Sequence, residues 1–280
     1  MAMMARRFVY GIWEMAPRWF RALIAGLAER SLPLIFAKGR KVTYGKTSFR
    51  VEVSHLGELR RAQEFSYKEG AFTQSVYESI QRQPVIYDIG AHVGYYVLLA
   101  ALGNPDAKVV ALEPEASNYS ALQRNLRNNY VRNVVTKNVA VGEDNSELFF
   151  EDTNLEKRSG GGSHRLSDTG QGSRVKVVRL DDFIIAERLP APSIILMDIE
   201  GGELAALKGM ENTLRRYSPT LFIEVHADLL EKHGDSVALL DEKLTGLGYS
   251  KVILRQPEGI PGEHRQTHVR YQSLTATTEA

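Results

Sequence analysis

Val85-Ile86-Tyr87-Asp88-Ile89-Gly90-Ala91-His92-Val93-Gly94-Tyr95-Tyr96 decides the fold of this chain. An apolar run stops on a carboxylate, two glycines frame a tight turn, and apolar residues resume at helical spacing. That pattern is a buried strand passing through a turn into a helix. In an open α/β sheet, small ligands bind outside the carboxyl ends of the strands, where such turns sit. Gly90 lets the backbone turn sharply and come close to a ligand, and Gly94 permits close contact at the helix start. The spacing is not the GxGxxG of a dinucleotide fingerprint. An acidic residue at the turn suits a ligand with positive charge or hydrogen-bond donors, as in S-adenosylmethionine, rather than a phosphate.

Outward from this turn, strands and helices alternate. Strands are expected at 85–89, 108–112, 134–140, 175–178, 193–197 and 220–225, with helices over about 93–102, 116–129, 203–216 and 236–247. Such alternation predicts a doubly wound, mostly parallel sheet with helices on both faces. Residues 251–255 and 268–274 can close it as an antiparallel hairpin. Upstream, 42–53 alternates in strand fashion and 58–82 suits one helix or two. Residues 151–174 break the pattern with Ser159-Gly160-Gly161-Gly162-Ser163 and Gly170-Gln171-Gly172, and are expected as a loop insertion. The expected organisation is a helical, basic N-terminal extension over 1–60 and a catalytic domain over 61–280 with its core at 85–255.

Composition sets bounds on chemistry. Apolar residues make up 43% and charged residues 25% of the 280, enough to bury a sizeable core. The absence of cysteine excludes disulfides, zinc–thiolate sites and thiol nucleophiles. Net charge is +1, yet residues 1–61 hold 12 Lys/Arg against 4 Asp/Glu, so the remainder is acidic. An acidic catalytic half argues against a nucleic-acid partner. The basic segment 1–38, carrying Trp13, Trp19 and Phe20, fits either a helical cap on the catalytic domain or peripheral contact with anionic lipid. The longest apolar stretch there, 22–28, is too short to span a bilayer. The expected location is the cytoplasm, with membrane association as an option.

Further strand ends add chemistry. Glu113-Pro114 follows the second strand, where a carboxylate can accept hydrogen bonds from both hydroxyls of a ribose. Asp198, Glu200 and Glu203 crowd the end of the strand at 193–197, and their repulsion calls for a cation or donor partners. Glu203 can be accounted for as a helix-start carboxylate complementing the dipole. Glu224 and His226 end the strand at 220–225, and His226 suits either catalysis or a structural hydrogen bond.

The segment 85–225 resembles the FkbM family of S-adenosylmethionine-dependent methyltransferases. The resemblance rests on Asp88 to Tyr96, Glu113-Pro114, Asn125 with Asn128, Asn138-Val139-Ala140 and Leu180-Asp181-Asp182. It extends through Asp198 to Glu203, Leu207-Lys208-Gly209, and Pro219 to Glu224. His92 stands where the family often carries Asn. The resemblance implies a class I methyltransferase fold and O-methylation of a hydroxyl on a sugar, glycan or natural product. Methylation of a protein side chain and non-catalytic cofactor binding are the alternatives. Asp88, Gly90, Ala91 and Gly94 would form the first cofactor turn and Glu113-Pro114 the ribose contact, with Asn138 and Ala140 near the adenine. Asp198, assisted by Glu224 and His226, is the expected base or metal ligand. A magnesium ion at Asp198 and Glu224 is an option. His164, Arg165 and Glu200 are the expected acceptor contacts.

Overall fold

A computed structural model describes residues 31, 34–36, 38–54, 56–65, 70–152, 164–167, 173–255 and 266–274. Almost all of the basic segment 1–38 therefore lies outside the described residues. Among those described, no helix is long and apolar enough to cross a membrane.

The strand that opens the deciding stretch, β3 (Val85–Ile89), lies in the middle of a seven-stranded sheet. The other members are β4 (Lys108–Leu112), β5 (Val134–Lys137), β10 (Ile194–Met197), β11 (Thr220–His226), β12 (Tyr249–Arg255) and β13 (Gln266–Ser273). Their spatial order is β12-β13-β11-β10-β3-β4-β5. Pairings from β5 to β11 are parallel, while β13 runs antiparallel to β11 and to β12. This is the expected doubly wound, mostly parallel sheet with its C-terminal antiparallel hairpin. The chain builds outward on one side through β4 and β5, then returns to add β10 and β11 on the other. The order thus reverses between β3 and β10, and their carboxyl ends face the ligand crevice of a doubly wound sheet.

Strand residues alternate between the two faces because the side-chain period is two. Ile86, Val109, Ala111, Ile194, Leu196 and Phe222 pack on one face, and Tyr87, Val110, Leu112, Ile195, Met197 and Ile223 on the other. Helices cover both faces, which is why these strands read as unbroken apolar runs. On the first face lie α1 (Leu56–Phe65), α2 (Gly70–Ile80), α3 (Tyr95–Gly103) and α4 (Ala116–Asn128). On the second lie α5 (Leu180–Ala186), α6 (Glu203–Gly209), α7 (Glu211–Tyr217) and, beyond the short α8 (Ala227–Lys232), α9 (Val237–Gly246).

The hairpin β1 (Arg40–Tyr44) and β2 (Thr47–Val51) places Val42, Phe49 and Val51 in the first face's core. Among the described residues, no break in the core falls at residue 60. Asn125 locks the hairpin to the glycine turn: its Oδ1 accepts from Glu52 N at 2.8 Å, and its Nδ2 donates to the Val93 carbonyl at 2.9 Å.

Three expectations change. The third strand stops at Lys137, because Asn138 donates to the carbonyls of Glu113 (2.8 Å) and Pro114 (2.9 Å) and turns the chain. The next pair, β6 (Ala140–Val141), joins a separate sheet of order β6-β9-β7-β8, with β7 (Ser146–Asp152), β8 (His164–Ser167) and β9 (Ser173–Val178). The expected loop over 151–174 therefore contains strand β8, paired antiparallel with β7; residues 153–163 and 168–172 lie outside the described set. Thirdly, the helix expected over 203–216 is two helices that meet at Met210. The buried Asp181 carboxylate caps the second, accepting from Asn212 N (3.0 Å), Thr213 N (2.7 Å) and Thr213 Oγ1 (2.7 Å). A cap supplied by another helix satisfies first-turn amides that a continuous helix would bond internally.

Asp181→Ala strands those buried donors and should destabilise the protein by about 2–4 kcal/mol. Chemical denaturation checks this, and a change under 0.5 kcal/mol would show the cap to be dispensable.

Candidate active site

The first wall of the crevice is the turn after β3. Gly90 has φ +87°, and its amide and that of Ala91 both donate to the Leu112 carbonyl, at 2.9 and 3.1 Å. A Cβ at Gly90 would stand 1.9 Å from the Asp198 carbonyl oxygen; one at Gly94 (φ +95°) would stand 2.5 Å from Leu122 Cδ1. Both glycines are thus required by the chain's own packing before any ligand is considered. Gly94 serves contact with α4.

Glu113 is 4% exposed and is held by two backbone amides, His92 N on Oε2 at 2.7 Å and Glu115 N on Oε1 at 2.9 Å. His92 takes a left-handed φ of +49° to make its bond. Burial pushes the Glu113 carboxyl up to about 7, against the lowering effect of those amides. Asp88 is 5% exposed, and its carboxylate makes no hydrogen bond among the described residues. Burial, then the neighbouring Glu113 charge, pushes it up to about 7 as well. Pro114 and Asn138 close this side through the carbonyl bonds described above. Ala140 is placed differently from expectation, with its methyl packed among Val175 and Val177 in the small sheet's core.

The second wall is the end of β10 and β11. Asp198 N donates to the Ile89 carbonyl at 3.0 Å, so the acidic segment begins level with the glycine turn. Glu200 (φ +52°) and Gly201 (φ +99°) then reverse the chain into α6. A non-glycine residue held in that region signals local strain of the sort found at functional sites.

Glu203 opens α6 but is completely buried, and its role is not that of an exposed dipole partner. Its Oε1 accepts from Gly201 N at 3.1 Å and lies 2.8 Å from His226 Nδ1. The other imidazole nitrogen, Nε2, faces three carboxylates: Asp198 Oδ1 at 3.6 Å, Glu200 Oε2 at 3.8 Å and Glu224 Oε1 at 3.8 Å. His268, opposite Glu224 in the β11–β13 register, bonds Glu224 Oε2 at 3.2 Å and packs its ring on Phe72.

The expected catalytic trio is therefore brought together: Asp198, Glu224 and His226 each offer one ligand atom within 4.8 Å of the others. Partial loss of hydration, then the Glu224 charge, raises the Asp198 carboxyl above the usual range, opposed by His226 and Arg61, although the side chain stays 54% exposed at the mouth of the crevice. Burial would raise Glu224, but the His268 hydrogen bond and the charges of His268, His226 and Arg61 outweigh it and lower the group. Burial would lower His226, but its bond to Glu203 and the charges of Asp198, Glu224 and Glu200 push it up to about 10. This cluster calls for positive charge at its centre.

Sequence reasoning named Glu203 but assigned it to the helix start, and did not find His268 and Arg61. A strand-end rule finds residues at the carboxyl ends of parallel strands, whereas His268 lies on an antiparallel strand and Arg61 on α1. His164 and Arg165 lie in β8 opposite Asp152 and Glu151.

Residues 88–251 match the methyltransferase FkbM domain. The chain is 26% identical over 165 residues to the hexuronic acid methyltransferase AglP of Haloferax volcanii, covering 59% of this chain and 64% of that protein. It thus spans less than two thirds of that relative's length. It is 27% identical over 226 residues to the 31-O-demethyl-FK506 methyltransferase FkbM of Streptomyces tacrolimicus, covering 69% of this chain and 84% of that one. A crystal structure of methyltransferase FkbM from Methylobacillus flagellatus shares 22% identity with a TM-score of 0.46, over 67% of this chain and 43% of that one.

The raised carboxyls have a stability consequence. Between about pH 4 and about pH 7, folded Asp88 holds a proton that the unfolded chain releases, so stability falls as pH rises through that window. Asp88→Asn should flatten this slope and raise Tm at pH 8 by about 4 °C in the ligand-free protein. Thermal melts across pH check it, and an unchanged slope would contradict the burial of Asp88.

Proposed function

The chain belongs to the methyltransferase FkbM domain family, and on that premise we propose that it is an S-adenosylmethionine-dependent O-methyltransferase acting on a hydroxyl of a sugar or natural product. The observation that carries this reading is the pair of buried carboxylates, Asp88 and Glu113, beside the Asp198–Glu224–His226 cluster at the β3/β10 switch point. An Asp88 carboxylate with no hydrogen bond among the described residues fits an ammonium group, and buried Glu113 retains lone pairs for ribose hydroxyls. Gly90, Ala91, Gly94, Pro114 and Asn138 complete the proposed cofactor side. The names of the two relatives, one acting on a hexuronic acid and one on a demethylated natural product, support a small oxygen-bearing acceptor.

When bound, the cofactor supplies a methyl group on a sulfonium whose carbon–sulfur pair returns to sulfur as the new carbon–oxygen bond forms. The chain's part is to align the acceptor and remove its proton. Holding the acceptor oxygen in line can account for roughly 7–11 kcal/mol of the barrier. Asp198 faces the crevice from the end of β10 and is the proposed proton acceptor, with Glu224 and His226 fixing its surroundings. Glu200, His164 and Arg165 are proposed to contact the acceptor. A divalent ion at Asp198 and Glu224, first expected as magnesium, belongs to the same proposal.

S-Adenosylhomocysteine should raise the melting temperature of the full chain, and Asp88→Asn and Glu113→Gln should each remove most of that rise. Asp198→Asn should keep the rise while lowering kcat by roughly 10²–10⁴-fold in an acceptor screen with radiolabelled methyl donor. Absence of any thermal response would refute cofactor binding. A fully active Asp198→Asn enzyme would refute the assignment of the base.

A further inference from the structure

We propose that Asp198, Glu224 and His226 form a binding site for a first-row divalent cation, Mn²⁺ or Zn²⁺, with Glu203 as the outer partner that orients the imidazole. The site stands on its own geometry; only its part in methyl transfer rests on the function proposed above.

The argument begins at His226. A carboxylate only accepts hydrogen bonds, so the 2.8 Å contact with Glu203 makes Nδ1 the protonated nitrogen. The remaining nitrogen, Nε2, is buried in a residue 1% exposed and has no hydrogen-bond partner. Three carboxylate oxygens stand round it at 3.6, 3.8 and 3.8 Å, all beyond an N–H···O bond. They call for positive charge at this nitrogen: without an ion a proton on Nε2 supplies it, and a divalent cation seated among the same oxygens would displace that proton.

The spacing suits such an ion. Ligand bonds of about 2.1 Å put neighbouring ligand atoms about 3.0 Å apart in octahedral and about 3.4 Å apart in tetrahedral geometry. The His226 Nε2 separations from Asp198 (3.6 Å) and Glu224 (3.8 Å) exceed the tetrahedral spacing by about 0.2–0.4 Å and the octahedral spacing by about 0.6–0.8 Å. The exposed Asp198 side chain can close that gap by rotating, while His226 stays fixed. The Glu203–His226 pair matches the carboxylate–histidine arrangement that orients metal-bound imidazoles and raises their basicity. One imidazole nitrogen with two carboxylates suits the borderline Zn²⁺, and is accepted by Mn²⁺ more readily than by magnesium, which prefers an all-oxygen octahedron.

In methyl transfer, an acceptor hydroxyl on this ion would lose its proton to Asp198 Oδ2, the oxygen not engaged as a ligand. The alkoxide oxygen then takes the methyl carbon, and the carbon–sulfur electron pair leaves with neutral sulfur. Proton, methyl and charge all balance without a further reagent.

The full chain, stripped with chelator and desalted, is titrated with Mn²⁺, Zn²⁺ and Mg²⁺, following free Mn²⁺ by electron paramagnetic resonance and Zn²⁺ by calorimetry. One site per chain is expected, at least tenfold tighter for Mn²⁺ and Zn²⁺ than for Mg²⁺. Asp198→Asn and Glu224→Gln should each weaken Mn²⁺ binding at least tenfold, and Glu203→Gln by roughly 10–100-fold. Melting temperatures confirm that each variant is folded. Pulsed resonance on bound Mn²⁺ should show coupling to one imidazole nitrogen. No saturable site, unchanged affinity in the two ligand variants, or no nitrogen coupling would each overturn the proposal. S-Adenosylhomocysteine melts run in parallel separate the two readings. Ion binding without a cofactor response refutes the methyltransferase reading alone, and full turnover in the stripped protein refutes the ion's catalytic part alone.

Discussion

Three parallel strands, β3, β10 and β11, are held in register by Ile89↔Met197 and Met197↔Ile223, and Asp88, Asp198, Glu224 and His226 are placed at or near their common end. The chain leaves the strands there with Gly90 pressed against the Asp198 carbonyl, a contact that admits no Cβ. That contact joins two walls with different tasks. On the β3/β4 side, carboxylates are buried with few or neutral partners. On the β10/β11 side, carboxylates are clustered around imidazoles.

The cost of this arrangement is electrostatic. Asp88 and Glu113 are driven up to about 7 by burial, and Asp198 is raised by partial loss of hydration and by Glu224. Left to folding alone, such groups would be better replaced by neutral residues, since burying a charge without a partner destabilises the native state. Their presence at one sheet edge would be accounted for by the proposed ligands, a sulfonium with its ammonium group on one side and a metal cation on the other. Stability conceded at the site is supplied by the two apolar faces, where Ile86, Tyr87, Leu98, Leu112, Ile194 and Phe222 are fully enclosed.

Much of this was legible in the residues. The strand-ending positions of Asp88, Glu113, Asp198 and Glu224 follow from apolar runs that stop on carboxylates, because a parallel strand buried on both faces has no other pattern. The terminal hairpin expected at 251–255 and 268–274 is found at Tyr249–Arg255 and Gln266–Ser273. What escaped depends on partners distant in sequence. Glu203 carries the marks of a helix start, and only the turn through Glu200 and Gly201 brings it under His226. His268 reaches Glu224 through an antiparallel register that apolar periodicity does not specify. The break at Met210 depends on a cap from Asp181, and the departure of Ala140 into a second sheet depends on Asn138 turning toward two carbonyls. Local propensity carries no signal for these, since each is settled by a tertiary hydrogen bond.

The central claim is that an adenosyl cofactor lies across the β3/β10 switch point with its reacting end toward Asp198. A crystal structure of the full chain with S-adenosylhomocysteine tests it most directly. The account predicts the ribose hydroxyls on Glu113, the amino group on Asp88 and the sulfur facing the Asp198–Glu224–His226 cluster. A cofactor bound elsewhere, or with its sulfur turned away from Asp198, would contradict it.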